Sequence, residues 1–333
     1  MKQFLKKVKA GLVLEEGEAS DAMSVIMDGE ATPAQIGALL GAIAARGETE
    51  DEVVGFARVM RARAARVKSE GAIDTCGTGG DGAGTLNIST LASLVVAACG
   101  VPVAKHGNRS ASGSCGSADV LEALGVKLDP SLPVVQRCLD ECGWAFLFAP
   151  AFHASTRHAV GPRKELGVRT AFNLLGPLTN PAFPESQVVG VPRADLTGFL
   201  ARCLSRLGVR RAWVVHGDGL DELSLAGVTQ VSAFDDGGAP REFVVRPEDA
   251  GLARCAPESL RGGDAARSAA VAEELLGGAR GPARDVVVLN AAAALVVAGK
   301  APDLEAGAEE AGHALNSGRA SRLLAQVKEI SGT

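Results

Sequence analysis

The chain has 333 residues, 47% of them hydrophobic, which is enough for one large α/β core with a small appendage or for two domains. A net charge of −5, no tyrosine and only two tryptophans supply neither a basic face nor an aromatic stacking platform, so nucleic acid is not an expected partner. The longest apolar runs, Leu91 to Ala104 and the stretch around Ala291 to Ala298, are short or broken by Gly, Pro or Asn, and no secretory signal is recognisable; no membrane association is expected, and seven cysteines without a C-x-x-C pair suit a reducing cytoplasm.

Residues 1–67 read as helices. Thr32-Pro33-Ala34-Gln35 and Thr49-Glu50-Asp51-Glu52 are capping boxes, and Gly47 stands where a glycine cap ends a helix. The helix from Pro33 to Arg46 is apolar on nearly all sides, so it needs burial on more than one face, either on the main domain or at a subunit interface. The interface is the preferred expectation.

From about residue 70 short β-like runs alternate with helical ones, the signature of a mostly parallel central sheet flanked by helices. Expected strands are Ala72–Thr75, Val101–Ala104, Val126–Leu128, Ala145–Phe148, Gln187–Val191 and Ala212–Val215. Expected helices are Ser89–Cys99, Ser117–Leu124, Leu132–Cys142, Arg193–Leu207 and Asn290–Ala298, and Val228–Val245 reads as a hairpin. The division is therefore a helical unit over 1–67, joined in space by parts of 152–182, and an α/β unit over 70–333.

In an open parallel sheet every βα loop emerges at the carboxyl edge of the strands, where ligands bind. Residues 76–88, 105–116 and 216–222 each follow an expected strand, so these loops converge. The first, Gly77-Thr78-Gly79-Gly80-Asp81-Gly82, reads alone as a turn; in the company of the other two loops it lets backbone N–H groups approach an anion, and the helix beginning near Ser89 adds its unpaired amides. The second contributes Lys105 as a point charge. The third contributes Asp221 and Glu222, which taken alone read as a helix-capping or solvated pair, but beside the other two loops match, with the Ser89 hydroxyl and substrate phosphates, the oxygen ligands that magnesium favours. Gly-Lys-Ser/Thr is missing, so this is no Walker A loop; Gly77, Gly79 and Gly82 fit G-x-G-x-x-G, a weak pattern alone, and Asp81 within it disfavours a dinucleotide.

These motifs resemble the anthranilate phosphoribosyltransferases, of the nucleoside-phosphorylase-like class. The similarity spans almost the whole chain and rests on Gly77 to Gly82 with Asn87-Ile88-Ser89-Thr90, Lys105-His106-Gly107-Asn108-Arg109 running to Gly116–Glu122, Arg163 to Arg169, Asn173 to Pro181, and His216 to Ser224. The resemblance implies transfer of a phosphoribosyl group from phosphoribosyl pyrophosphate (PRPP) to anthranilate in tryptophan biosynthesis, by a homodimer formed through the helical unit. It implies that PRPP is held by Gly77, Gly80, Asp81, Thr85, Asn87, Ile88, Ser89, Thr90, Lys105, His106, Gly107, Asn108, Arg109, Ser110, Ala111, Ser112, Gly113 and Ser117. Magnesium would fall to Ser89, Asp221 and Glu222, and anthranilate to Gly77, Asn108 and Arg163, with Lys105, His106 and Asn108 nearest the chemistry. His106 could accept the amine proton or simply order its loop, and Arg109 could instead lock the loop by pairing with an acidic neighbour. A family stretch like His-Pro-Ala-Met is replaced here by His153-Ala154-Ser155-Thr156, with unchanged spacing to Arg163. The alternatives are a pyrimidine nucleoside phosphorylase, whose loop pattern is not found, and a non-catalytic nucleic-acid-binding relative, disfavoured by the acidic pair and the net charge.

Overall fold

The computed structural model describes residues 1–110 and 115–333. It opens with a bundle of α1 (Lys2–Lys9), α2 (Glu16–Met27), α3 (Pro33–Arg46) and α4 (Glu50–Arg63). Both expected capping boxes form: Thr32 accepts from the Gln35 N–H, and Thr49 from the Glu52 N–H. α3 buries Ile36, Leu39, Leu40 and Ile43 within the chain, so the apolar helix is largely covered by its own neighbours. Leu12 and Val13, just before α2, stay exposed.

The α/β part begins with β1 (Ile73–Asp74), α5 (Ile88–Ala98), β2 (Val103–Gly107), α6 (Ser117–Ala123), α7 (Leu132–Cys142) and β3 (Trp144–Phe148). Short helices α8 (Ala149–Phe152), α9 (Arg157–Leu166) and α10 (Phe172–Leu175) lead to β4 (Ser186–Gly190), α11 (Leu196–Arg206) and β5 (Arg211–Gly217). The hairpin of β6 (Thr229–Asp235) and β7 (Arg241–Val245) follows, then α12 (Ala265–Leu276), α13 (Pro282–Val297), α14 (Leu304–Asn316) and α15 (Arg319–Ser331).

The seven strands form one sheet in the order β3-β2-β1-β4-β5-β6-β7. The first five are parallel, and β6 and β7 add antiparallel at one edge. Strand order reverses between β1 and β4, which opens a crevice at their carboxyl ends. One core packs α5, α6, α12, α13, α14 and α15 on one face. A second joins the N-terminal helices to Ala159, Phe172, Leu174 and Leu178 and to the opposite face through Val189, Val214 and Leu200.

The expected strand Val126–Leu128 is not one. Its Val126 N–H closes the end of α6 on Leu121 O and its Lys127 N–H goes to Ser331 Oγ, which leaves no ladder to join. Val126 and Leu128 are buried nonetheless, so the apolar signal reported packing rather than pairing. The expected Asn290–Ala298 helix is the second half of α13, which starts earlier, behind Gly281 with Pro282 at its first turn. Among the described residues no helix is long and apolar enough to cross a membrane.

Candidate active site

The loop after β1 is held from three sides. The Thr78 N–H donates to Gly190 O at the end of β4 (2.9 Å), Leu86 N–H to Leu260 O (3.0 Å) and Gly262 N–H to Gly84 O (2.9 Å). Gly79, Gly80, Gly82 and Gly84 all take positive φ, a path that side chains would strain. At Gly80 a Cβ would also sit 1.7 Å from Arg169 Nη1, since that guanidinium donates to Gly80 O (3.3 Å) and Gly79 O. Sequence reasoning did not single out Arg169 by itself, nor the Pro257–Gly262 segment that braces the loop.

Loops far apart in sequence do meet here. The Asp221 N–H donates to Asp81 Oδ2 (3.3 Å), and the Ser89 N–H donates to Glu222 Oε1 (3.1 Å). A Cβ on Gly77 would stand 3.1 Å from Asp221 Oδ2. Burial raises the Asp221 carboxyl well above its usual range, and the charges of Glu222 and Asp81 raise it further. Burial likewise pushes Glu222 up to about 7, against the opposing pull of Lys105 and the Ser89 hydrogen bonds. Desolvated carboxylates that repel one another are a donor set that a hard cation relieves.

Lys105 lies beneath the loop. It is 2% exposed, and its Nζ donates to Thr75 O (3.3 Å) and Thr75 Oγ1 (3.4 Å). Next to it Asp74 is fully buried, accepting from the His106 N–H (3.2 Å) and from Asn180 Nδ2 (2.8 Å). Asn180 also donates to Ala104 O, so the Asn173–Pro181 motif stitches this turn to β1 and β2. Burial raises Asp74 to about 6.

His106 Nδ1 lies 2.9 Å from Gly176 O, which fixes the proton on Nδ1 and leaves Nε2 as an acceptor. Among the described residues that buried Nε2 has no partner. Burial, with His153 at 5.3 Å between ring centres, pulls His106 down to about 3. Arg163 stacks on Phe172, 4.7 Å above the ring centre, and has no carboxylate partner among the described residues; burial lowers its pKa.

Other expected residues serve the loops. Arg109 is committed to Asp119 (2.9 Å) and Glu122 (2.8 Å), the locking arrangement. Asn108 Oδ1 accepts from the Arg109 N–H, and Asn108 O accepts from Ser117 Oγ and the Ala118 N–H. Gly107 is needed for closeness, since a Cβ there would meet Ser117 Oγ at 2.4 Å. Asn87 Nδ2 donates to Cys115 O. Ile88 and Thr90 are buried, with the Ile88 N–H already given to Leu86 O, and Thr85 pairs with Arg261 in an isolated antiparallel bridge. The Ser110 N–H donates to Asp119 Oδ2. Ala111, Ser112 and Gly113 lie outside the described residues. A cleft of about 340 Å³ opens beside the loop, lined by Asp81, Thr85, Asp218, Ser224, Glu258 and Arg261.

Two family models match in register with this architecture: the glycosyl transferase family a/b domain over residues 69–321, and the glycosyl transferase family helical bundle domain over residues 2–64. An anthranilate phosphoribosyltransferase of Moorella thermoacetica is 54% identical, over 97% of this chain and 96% of its own length. The chain belongs to the anthranilate phosphoribosyltransferases. The Azospirillum brasilense anthranilate phosphoribosyltransferase is 53% identical over 99% of this chain and 93% of its own. The crystal structure of the Thermus thermophilus anthranilate phosphoribosyltransferase superposes with a TM-score of 0.93 at 45% identity, covering 99% of both chains. The Saccharomyces cerevisiae anthranilate phosphoribosyltransferase in complex with PRPP and Mg shares the fold, with a TM-score of 0.90 at 24% identity over 99% of this chain and 97% of that one. As an anthranilate phosphoribosyltransferase the chain is an enzyme of the glycosyltransferase type.

Proposed function

We propose that this chain carries out its family's reaction: the 5-phosphoribosyl group of PRPP passes to the amino group of anthranilate, releasing pyrophosphate, as a step of tryptophan biosynthesis. The observation that carries the reading is the meeting of the glycine loop, the Ser89 amide and the Asp221–Glu222 pair at the strand-order reversal. The loop glycines, with Asn87 and Ser117 at the helix starts, supply close backbone approach to a diphosphate. Lys105 sets a positive charge beneath it.

The buried, mutually repelling carboxylates fit magnesium, and Asp221, Glu222 and the Ser89 hydroxyl would hold it. Two carboxylates and a hydroxyl leave positions for water and substrate phosphates, the way magnesium is usually held. When bound, the metal supplies positive charge to the leaving pyrophosphate.

On the acceptor side, the planar Arg163 guanidinium suits the anthranilate carboxylate, for which it offers two parallel donors. The amine is neutral at pH 7 and already nucleophilic. His106, held as the Nδ1–H tautomer, keeps a lone pair at Nε2 that is unpartnered among the described residues, and orders this turn; with a pKa near 3 it does not keep the proton that the amine gives up as the C–N bond forms, which passes to the departing pyrophosphate or to water. Gly77 and Asn108 complete the acceptor side. We further infer a homodimer through the N-terminal helices and a reducing, cytoplasmic setting, the latter supported by seven unpaired thiols.

The test is the loss of anthranilate fluorescence on adding PRPP, with and without EDTA. Loss that depends on both PRPP and magnesium is expected. A signal that persists with folded protein and both substrates overturns the acceptor assignment, and equal loss in EDTA overturns the metal assignment.

A further inference from the structure

Within α13 every residue from Val286 to Leu295 is buried, and all are aliphatic except Asn290. A polar amide inside such a helix disfavours both helix and core, so it needs partners. Its partners are specific. Asn290 Oδ1 accepts from the Leu223 N–H (2.9 Å), while Nδ2 donates to Leu223 O (2.9 Å) and to Val286 O within its own helix (2.9 Å).

Leu223 follows the acidic pair directly and is wholly buried, at a point where the chain has left β5 and not yet entered β6. No sheet or helix ladder reaches it, so Asn290 takes the place of one. Downstream, the Ser224 N–H goes to Thr229 Oγ1 (3.1 Å) and the Cys255 N–H to Leu225 O (3.2 Å), so the stretch after Glu222 is fixed at successive residues. Upstream, the Glu222 carboxylate accepts from the Ser89 N–H.

We propose that Asn290 is a positioning residue for the acidic pair: by holding both peptide groups of Leu223 it aims the Glu222 carboxylate at Ser89 and at the space where magnesium would sit. Asn290 touches no substrate and acts through the backbone. The inference rests on Asp221 and Glu222 being the metal-binding carboxylates. An amide is suited to the task because it accepts and donates at once, whereas a carboxylate would face Leu223 O with a second oxygen and add charge beside three acids.

The experiment measures PRPP binding calorimetrically against magnesium concentration, beside KM for anthranilate and thermal melting, for Asn290→Ala, Asn290→Ser and a Glu222→Gln control. Asn290→Ala should raise the magnesium concentration needed for half-maximal PRPP binding by about tenfold, as removing an outer partner of a metal ligand typically does. KM for anthranilate should move by less than about twofold, since His106 and Arg163, the acceptor-side side chains, share no hydrogen bond with Leu223 or Asn290 among the described residues. Asn290→Ser, which keeps a small donor and acceptor, covers the case in which the alanine variant fails to fold and should fall between. A folded variant whose magnesium dependence matches the native enzyme, while Glu222→Gln shifts it, overturns the role of Asn290 alone. So does an equal loss at both substrates that tracks a lowered melting temperature. A Glu222→Gln control with unchanged magnesium dependence overturns the metal reading on which the role stands.

Discussion

Gly190 and Asp221 approach so closely that a Cβ on the glycine would lie 1.5 Å from the Asp221 carbonyl oxygen and 2.4 Å from its carbonyl carbon. The contact is backbone against backbone, and Gly190 O also receives the Thr78 N–H. Gly190→Ala therefore has to push the acidic pair, the glycine loop or both. We expect a loss of about 1–3 kcal/mol in stability, as for other overpacked sites, and a fall of more than about tenfold in kcat/KM for PRPP. Chemical denaturation and steady-state kinetics check the two halves, and a native-like enzyme would refute the claimed closeness.

Glu222 sits where removing charge separates function from stability. Glu222→Gln should cut kcat/KM for PRPP by about 10²-fold or more. The melting temperature should hold or rise, because a buried carboxylate with a raised pKa costs the folded state when ionised. Parallel melting and fluorescence assays read both effects, and a variant that is active yet unstable would contradict the assignment.

His106 gives a pH signature. Its folded pKa of about 3 lies below the ordinary 6.5, so the unfolded chain binds the proton first and stability is lost as pH falls from 6.5 toward 3. Asp74 works in the opposite sense, since its folded value of about 6 favours the folded state on acidification below that point. The native enzyme must therefore be compared with His106→Gln. The difference in unfolding free energy should shrink by about 1.4 kcal/mol for each pH unit below 6.5. Urea titrations at pH values from about 7 down to about 5 measure it, spanning the ordinary histidine range, and a difference independent of pH would show that the ring is not buried neutral.

In the helical bundle, Glu52 is fully buried and accepts from the Leu14 N–H (3.0 Å), the Thr49 N–H (3.1 Å) and Arg46. Glu52→Ala removes the acceptor of these donors, and of the Thr49 hydroxyl, at once. A destabilisation of about 3–5 kcal/mol is expected, with little change in kcat for the protein that remains folded. Denaturation monitored by circular dichroism decides this.

For the dimer, sedimentation at working concentration should give a two-subunit species. Leu12→Glu combined with Val13→Glu, at the exposed apolar pair before α2, tests whether that part of the bundle lies at the interface. A single-subunit species for the native chain would remove the interface.

Much of this arrangement is legible in the sequence because the signals are local. The capping boxes at Thr32 and Thr49 name helix starts by side-chain chemistry, and alternating strands and helices force the three loops to one edge without any knowledge of contacts. Lys105 is brought to the site by the same logic, but its aim is not. β2 has both faces covered, so its pattern of burial cannot show whether a lysine on it points to ligand or into the protein. Asn290 escapes for a related reason, since one amide in an apolar helix gives no hint of the distant peptide it serves. The helices after Ala298 are hard to read because the buried side of α14 is mostly Gly307, Ala308, Ala311, Gly312 and Ala314, too weak in contrast to mark a face. Val126–Leu128 misled in the other direction, its hydrophobicity satisfied without pairing.

Lys105, enclosed below the glycine loop with Asp74 and Glu222 for company, gives the crevice a fixed internal counter-charge that solvent ions cannot imitate or dilute. Ionic strength should consequently tune how fast a phosphorylated sugar arrives far more than what happens once it is seated. A lysine transplanted to the rim would restore the net charge of a Lys105 variant and leave the missing support unrepaired.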